Sequence, residues 1–168
     1  MEVDQNVNTD NASRSKYQVI FDRLPNVIFN ATSVGFPSMT VGTANIATPF
    51  KTIPFAGTTL EHGPFRMSFI LNDNHTNYGE ILHWMEGIAF TEKFQQYSDI
   101  EKGDGVYSDF TVTVFSNANV PVARYRFTDA FPNTLSDLDF DSQDDSDGPM
   151  LVNTSFEFML YKLEPVGS

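Results

Sequence analysis

The stretch from Pro64 to Ala89 constrains the fold more than any other part of the chain. Phe65, Met67, Phe69 and Leu71 alternate with Arg66, Ser68 and Ile70, so one face of an extended segment is continuously apolar. Such a face has to be covered, which makes this a half-buried strand. Asn72 to Asn77 then offer side chains that accept hydrogen bonds from free helical N–H groups, and Asn77 with Glu80 has capping-box spacing. A helix is predicted to begin there. Its apolar stripe is carried by Tyr78, Ile81, Leu82, Met85, Ile88 and Ala89, with Glu80, His83 and Glu86 outside it. The reading is one long helix packed on a sheet made by the rest of the chain.

That reading agrees with the residue content. Sixteen of the 168 residues are phenylalanine and 14% are aromatic, and such side chains favour pleated, half-buried surfaces. The expected fold is mostly β: an antiparallel β-sandwich or barrel subunit with one flanking α-helix. Met1 to Ser15 is polar and poor in apolar residues, and is expected to be a flexible arm (residues 1–15) ahead of a single β domain (residues 16–168). No secretory leader and no apolar run of the roughly 20 residues a membrane helix needs are recognised, so a soluble subunit without membrane anchoring is expected. With no cysteine, disulfides and thiolate chemistry are excluded.

Along the chain, Tyr17 to Phe21 and Val27 to Thr32 read as a hairpin turning through Leu24-Pro25-Asn26. Val41 to Thr48 reads as a strand, and Lys51 to Ile53 as a short one ended by Pro54-Phe55-Ala56-Gly57. Residues 46 to 64 form an extended excursion rich in apolar side chains: Ile46, Phe50, Ile53, Pro54, Phe55 and Leu60. Loops are normally polar, so two explanations stand: the excursion folds back on its own core, or it is buried in a neighbouring subunit. Thr91 to Gly105 is read as a polar loop, Ser108 to Ser116 and Val120 to Ala130 as a hairpin, Phe131-Pro132-Asn133 as a turn, and Asn153 to Leu163 as one closing strand. No fixed-period repeat is found.

Candidate chemistry is sparse. Asp137, Asp139, Asp141, Asp144, Asp145 and Asp147 invite an ion-binding reading, but counting twelve positions from Asp137 puts Ser142 and Gly148 where an EF-hand needs Gly and Glu. A solvated acidic loop and a looser cation site both remain. Glu80 and His83 have Glu-x-x-His spacing, yet a di-iron bundle needs further carboxylate helices. His62 and His75 form no recognisable acid–base pair, no serine sits in a nucleophile elbow, and no glycine-rich phosphate loop occurs. The chain is therefore read as a non-enzyme with no cofactor and no metal. Asn11, Asn30, Asn74 and Asn153 each open an Asn-x-Ser/Thr triplet, read as chance matches. Trp84, the lone tryptophan, is placed at the margin of the helix stripe, where core packing and a subunit contact are both open. The net charge of −12 excludes a nucleic-acid grip, whose affinity comes from cations that displace counterions.

Taken in order, these elements resemble the tail tube proteins of contractile, T4-like bacteriophages. The resemblance runs from about Tyr17 to Leu163. It rests on the turn at Leu24-Pro25-Asn26, the excursion ending in Ile53-Pro54-Phe55, and the helix bearing Trp84. It rests most on Phe131-Pro132 followed by Leu138-Asp139-Phe140-Asp141-Ser142 and a final aromatic strand. The acidic run and the long polar arm depart from the plain pattern.

The resemblance implies stacked, hexameric rings forming a hollow tube within a contractile sheath, and the sheets of neighbouring subunits joined around the channel. It implies that the excursion reaches the adjacent ring, and that acidic patches on the outer wall meet the sheath, with Asp137, Asp139, Asp141, Asp144, Asp145 and Asp147 as candidates for a sheath or ring contact. It implies that the partners are other copies, the sheath and baseplate or terminator proteins, and that DNA passes without specific binding. The place implied is the virion tail, assembled in the host cytoplasm. A tube adaptor at the baseplate or head end, the tube of an injection system, and a monomeric β-sandwich binding module with an acidic ion-binding loop are the alternatives.

Overall fold

The computed structural model describes residues 16–21, 23–89, 94–102, 105–140 and 148–166. The expected arm at 1–15 lies outside them, as do Asp141, Asp144, Asp145 and Asp147.

The elements run β1 (Tyr17–Phe21), α1 (Pro25–Phe29), β2 (Ala31–Gly35), β3 (Met39–Ala47), β4 (Thr52–His62), β5 (Phe65–Ile70), α2 (Thr76–Ala89), α3 (Phe94–Lys102), β6 (Ser108–Phe115), β7 (Pro121–Leu135), β8 (Leu151–Glu157) and β9 (Leu160–Pro165). All pairings are antiparallel. Seven strands form one folded sheet in the order β1-β6-β7-β8-β5-β2, with β9 added on β7, while β3 and β4 form a separate two-stranded ribbon. The expected mostly-β antiparallel fold is observed.

The sheet bends on β7, whose 15 residues belong to both of its wings. Its first half pairs with β6 and β9, and its last residues pair with β8. The bend falls near Asp129, which takes a left-handed φ of 53°. Its N–H donates to Asp109 Oδ1 at 3.1 Å, so a local hydrogen bond holds a backbone state that non-glycine residues rarely adopt. The two wings close on an aromatic core. Phe110 stacks on Phe21 at 4.2 Å and on Phe127 at 4.4 Å, and Phe65 of the other wing meets Phe110 at 4.8 Å. Offset ring contacts of this kind add to the burial of large apolar area.

Several expectations are corrected. Pro25 opens a helix rather than a hairpin turn: Leu24 and Val27 are buried three residues apart, and proline is tolerated at a first helical position because no N–H is needed there. β2 pairs with β5, not with β1. The segment read as a polar loop after α2 contains α3. Phe131-Pro132-Asn133 does not turn the chain; β7 runs through it, with a register shift between Pro132 and Thr134 that accommodates the missing N–H. The closing strand is two strands, separated at Phe158 and Met159, with β8 and β9 in different wings.

α2 also starts earlier than the capping-box spacing placed it. Asn74 Oδ1 accepts from Thr76 N–H at 3.3 Å, while Asn77, fully buried, ties the helix to the sheet. Its Oδ1 accepts from the Asn72 and Tyr78 N–H groups at 3.2 and 3.0 Å, and its Nδ2 donates to the Ile70 carbonyl at 2.7 Å. The buried stripe is Asn77, Ile81, Trp84 and Gly87, so it is rotated from the expected one and leaves Leu82 exposed.

Candidate assembly surfaces

The β3–β4 ribbon is the candidate functional element. It leaves the body between Gly35 and Phe65, the ends of paired strands β2 and β5, and is closed at its base by Gly63 N–H donating to the Ser38 carbonyl at 2.8 Å. Eleven residues of β4 at about 3.3 Å each give it a reach of roughly 35 Å. It is continuous through Pro54, which pairs with Asn45, so the expected break at Pro54-Phe55-Ala56-Gly57 is absent. Proline is acceptable here because a two-stranded ribbon consists of edges.

The ribbon does not fold back on its own core. It pairs with no strand of the main sheet, and nearly every residue of both strands is exposed. Phe50 at the tip is 97% exposed and Phe55 52%; Ile46, Leu60, Val41 and Met39 are exposed as well, and Ile53 is half-buried. Ala44 pairs with Phe55 and Ile46 with Ile53, which gathers apolar side chains on one face near the tip. Met39 and Val41, opposite His62 and Leu60, extend the apolar surface beyond the residues singled out from sequence. The period-two signal there is diluted by Thr40, Gly42 and Thr43.

Trp84 is the corrected candidate. It is 1% exposed, its Nε1 donates to the Val106 carbonyl at 2.9 Å, the Arg23 guanidinium lies over its ring at 4.5 Å, and Phe156 is 6.2 Å away. A side chain so enclosed has no surface to offer a second subunit.

A second apolar area lies at the ribbon's base. Phe36 meets Tyr125 at 4.6 Å, Tyr125 stacks on Tyr161 at 5.9 Å, and Leu163, paired with Tyr125, is exposed. Burial raises the pKa of the Tyr161 hydroxyl, with Tyr125 adding to the effect. In the main sheet, β1, β2 and β9 are the strands with an edge left unpaired among the described residues.

The described residues contain no cluster of three or more metal-binding side chains, and Asp137 and Asp139 are exposed. Among the described residues no helix is long and apolar enough to cross a membrane. Two open clefts lie on the sheet. One, of about 480 Å³, is lined by Arg66, Ser68, Asn133 and Asn153 among other mainly polar residues; the other, of about 300 Å³, holds Arg124, Arg126, Asp109 and Glu164. Neither brings together a nucleophile and a base.

An antiparallel folded sheet with a free two-stranded ribbon and a flanking helix is thus the class of fold defined here. Scans against protein-family models and curated proteins find no match. Among solved structures the fold is shared with chains of contractile assemblies. A chain in the anti-feeding prophage baseplate superposes with a TM-score of 0.64 at 12% identity, covering 95% of this chain and 98% of that one. A chain in the tube-terminating cap of the same particle gives 0.65 at 12%, covering 97% of each. A chain in the sheath–tube complex of an extracellular contractile injection system gives 0.64 at 11%, covering 99% of each.

Proposed function

We propose that this chain is a structural subunit of the hollow tube of a contractile tail or injection machine, assembled from stacked rings of identical copies. The observation that carries the reading is the β3–β4 ribbon: an apolar arm of roughly 35 Å exposed on both faces, in a fold shared with chains of tube, cap and baseplate assemblies. A monomer gains nothing by keeping such a surface in water, whereas a head-to-tail contact that does not close on itself builds a filament and buries it at every repeat. The open edges of β1, β2 and β9 suit lateral pairing with neighbours, which would protect them from uncontrolled association.

The specific form proposed is a bacteriophage tail tube of hexameric rings inside a contractile sheath, located in the virion, with sheath and baseplate or terminator proteins as partners. The net charge of −12 supports passage of DNA, since a surface short of cations has few counterions to displace. The cap and baseplate likenesses favour a tube-end variant as the second reading; it shares the subunit contacts and differs in copy number. Negative-stain electron microscopy of the concentrated protein tests the proposal. Rings or tubes of uniform bore are expected; strictly monomeric sedimentation up to millimolar concentration would overturn it.

A further inference from the structure

We infer that the ribbon of one copy docks on the opposite end of the next copy's sheet, against Phe140 and Leu151, with Lys51 facing Asp137 and Asp139. This rests on the tube reading and names the receiving surface that it leaves open.

The strand directions place the two surfaces. β5 begins at Phe65, beside the ribbon's base, and ends at Ile70, which pairs with Leu151 at the start of β8. Ser136 N–H donates to the Asn153 carbonyl at 2.8 Å, so the segment running on to Phe140 leaves the sheet at that same distant end. The Phe140 ring lies 6.2 Å from His75, in the loop that follows β5, and so stays there. Phe140 is 71% exposed and Leu151 55%, two apolar side chains left largely open among the described residues. Stacking by one repeated head-to-tail operation brings the ribbon end of one copy to the far end of another.

Charge supports the match. Lys51 is exposed at the ribbon's tip and is the sole charged residue from Thr40 to Leu60. The described segments that reach the far end, Ile70 to Asn77, Leu135 to Phe140 and Gly148 to Val152, contain no lysine or arginine, and Asp73, Asp137 and Asp139 are exposed there. A lone cation carried on an apolar arm thus meets an apolar site rimmed by carboxylates. In such contacts the apolar groups supply most of the affinity, and the charges set register and rate of encounter.

The test uses the full-length protein, with polymer measured by sedimentation and electron microscopy, and folding by thermal melting. Phe140→Asp is expected to melt as the parent does while losing stacking. Lys51→Glu is expected to raise the concentration needed for polymer several-fold, and Lys51→Glu with Asp139→Lys to recover most of that loss. If the parent stacks and both Phe140→Asp and Lys51→Glu stack equally well, the receiving surface lies elsewhere and the inference is overturned while the tube reading stands. A double variant no better than its single parents would overturn the Lys51–Asp139 contact. A parent that never stacks removes both the inference and the reading beneath it.

Discussion

A Cβ built on Gly57 would lie 2.5 Å from the carbonyl oxygen of Gly42 on the facing strand. The two glycines meet in the irregular part of the ribbon, where Val41 pairs with Leu60 but Thr43 pairs with Ala56. Backbone approaches backbone here more closely than any side chain allows. Gly57→Val is therefore expected to distort the ribbon without unfolding the body. Proteolysis should cut faster between Met39 and His62 while the main melting transition moves little.

Phe55 is half-exposed, paired with Ala44 on the facing strand of the ribbon. Phe55→Asp should leave circular dichroism and melting unchanged and should abolish stacked polymer in electron micrographs. Normal polymerisation of that variant would show that the ribbon is not an assembly contact.

Trp84 is in the opposite situation. Removing its ring leaves a large cavity beside Phe156 and strands the Val106 carbonyl, so Trp84→Ala should destabilise the subunit by about 3–5 kcal/mol in urea unfolding. Trp84→Phe keeps most of the volume but not the donor, and should cost roughly 1–3 kcal/mol.

Asn77 joins α2 to the end of β5 through buried hydrogen bonds to Asn72, Tyr78 and Ile70. Asn77→Leu leaves those backbone groups unpaired and is expected to cost about 2–4 kcal/mol. Hydrogen exchange should quicken first at the helix amino end. An Asn77→Asp protein keeps the acceptor but sets a buried carboxylate against the Ile70 carbonyl, and at neutral pH should lose at least as much stability as Asn77→Leu.

Tyr17 and Tyr161 have hydroxyl pKa values raised above the ordinary 10.0 by burial. The unfolded chain therefore releases these protons first, so the native state binds more protons than the unfolded one once pH passes 10.0, and stability falls as pH rises further. The chemical denaturation midpoint should decline above pH 10, and Tyr161→Phe should flatten part of that decline.

The sequence was legible where a single periodicity governed a stretch. β5 buries Phe65, Met67 and Phe69 as their alternation requires, and β6 and β7 form the expected hairpin, with Arg124 and Arg126 exposed and Phe127 buried. It misled where two periodicities overlap. Val27, Ile28 and Phe29 are strand-favouring residues, yet Leu24 and Val27 also fit a helical turn, and tertiary contacts with α2 and β1 decide for the helix. Pro132 looked like a terminator because a central strand needs its N–H groups; the register shift beside it removes that need. For the candidate surfaces, the apolar character of Ile46, Phe50 and Phe55 was plain, but whether they face inward depends on distant strands that no local pattern encodes. Trp84 reads from sequence as marginal to the stripe, since Asn77 reads as a cap; in the fold Asn77 is buried with Ile81, Trp84 and Gly87.

One consequence of the shared strand β7 concerns mechanics. Because the same main chain runs through both wings, an axial push on one reaches the other along covalent bonds rather than through sliding side chains. In the stacked assembly proposed above, such subunits would carry an axial load with little internal give, and would yield at the joints between copies before yielding within them.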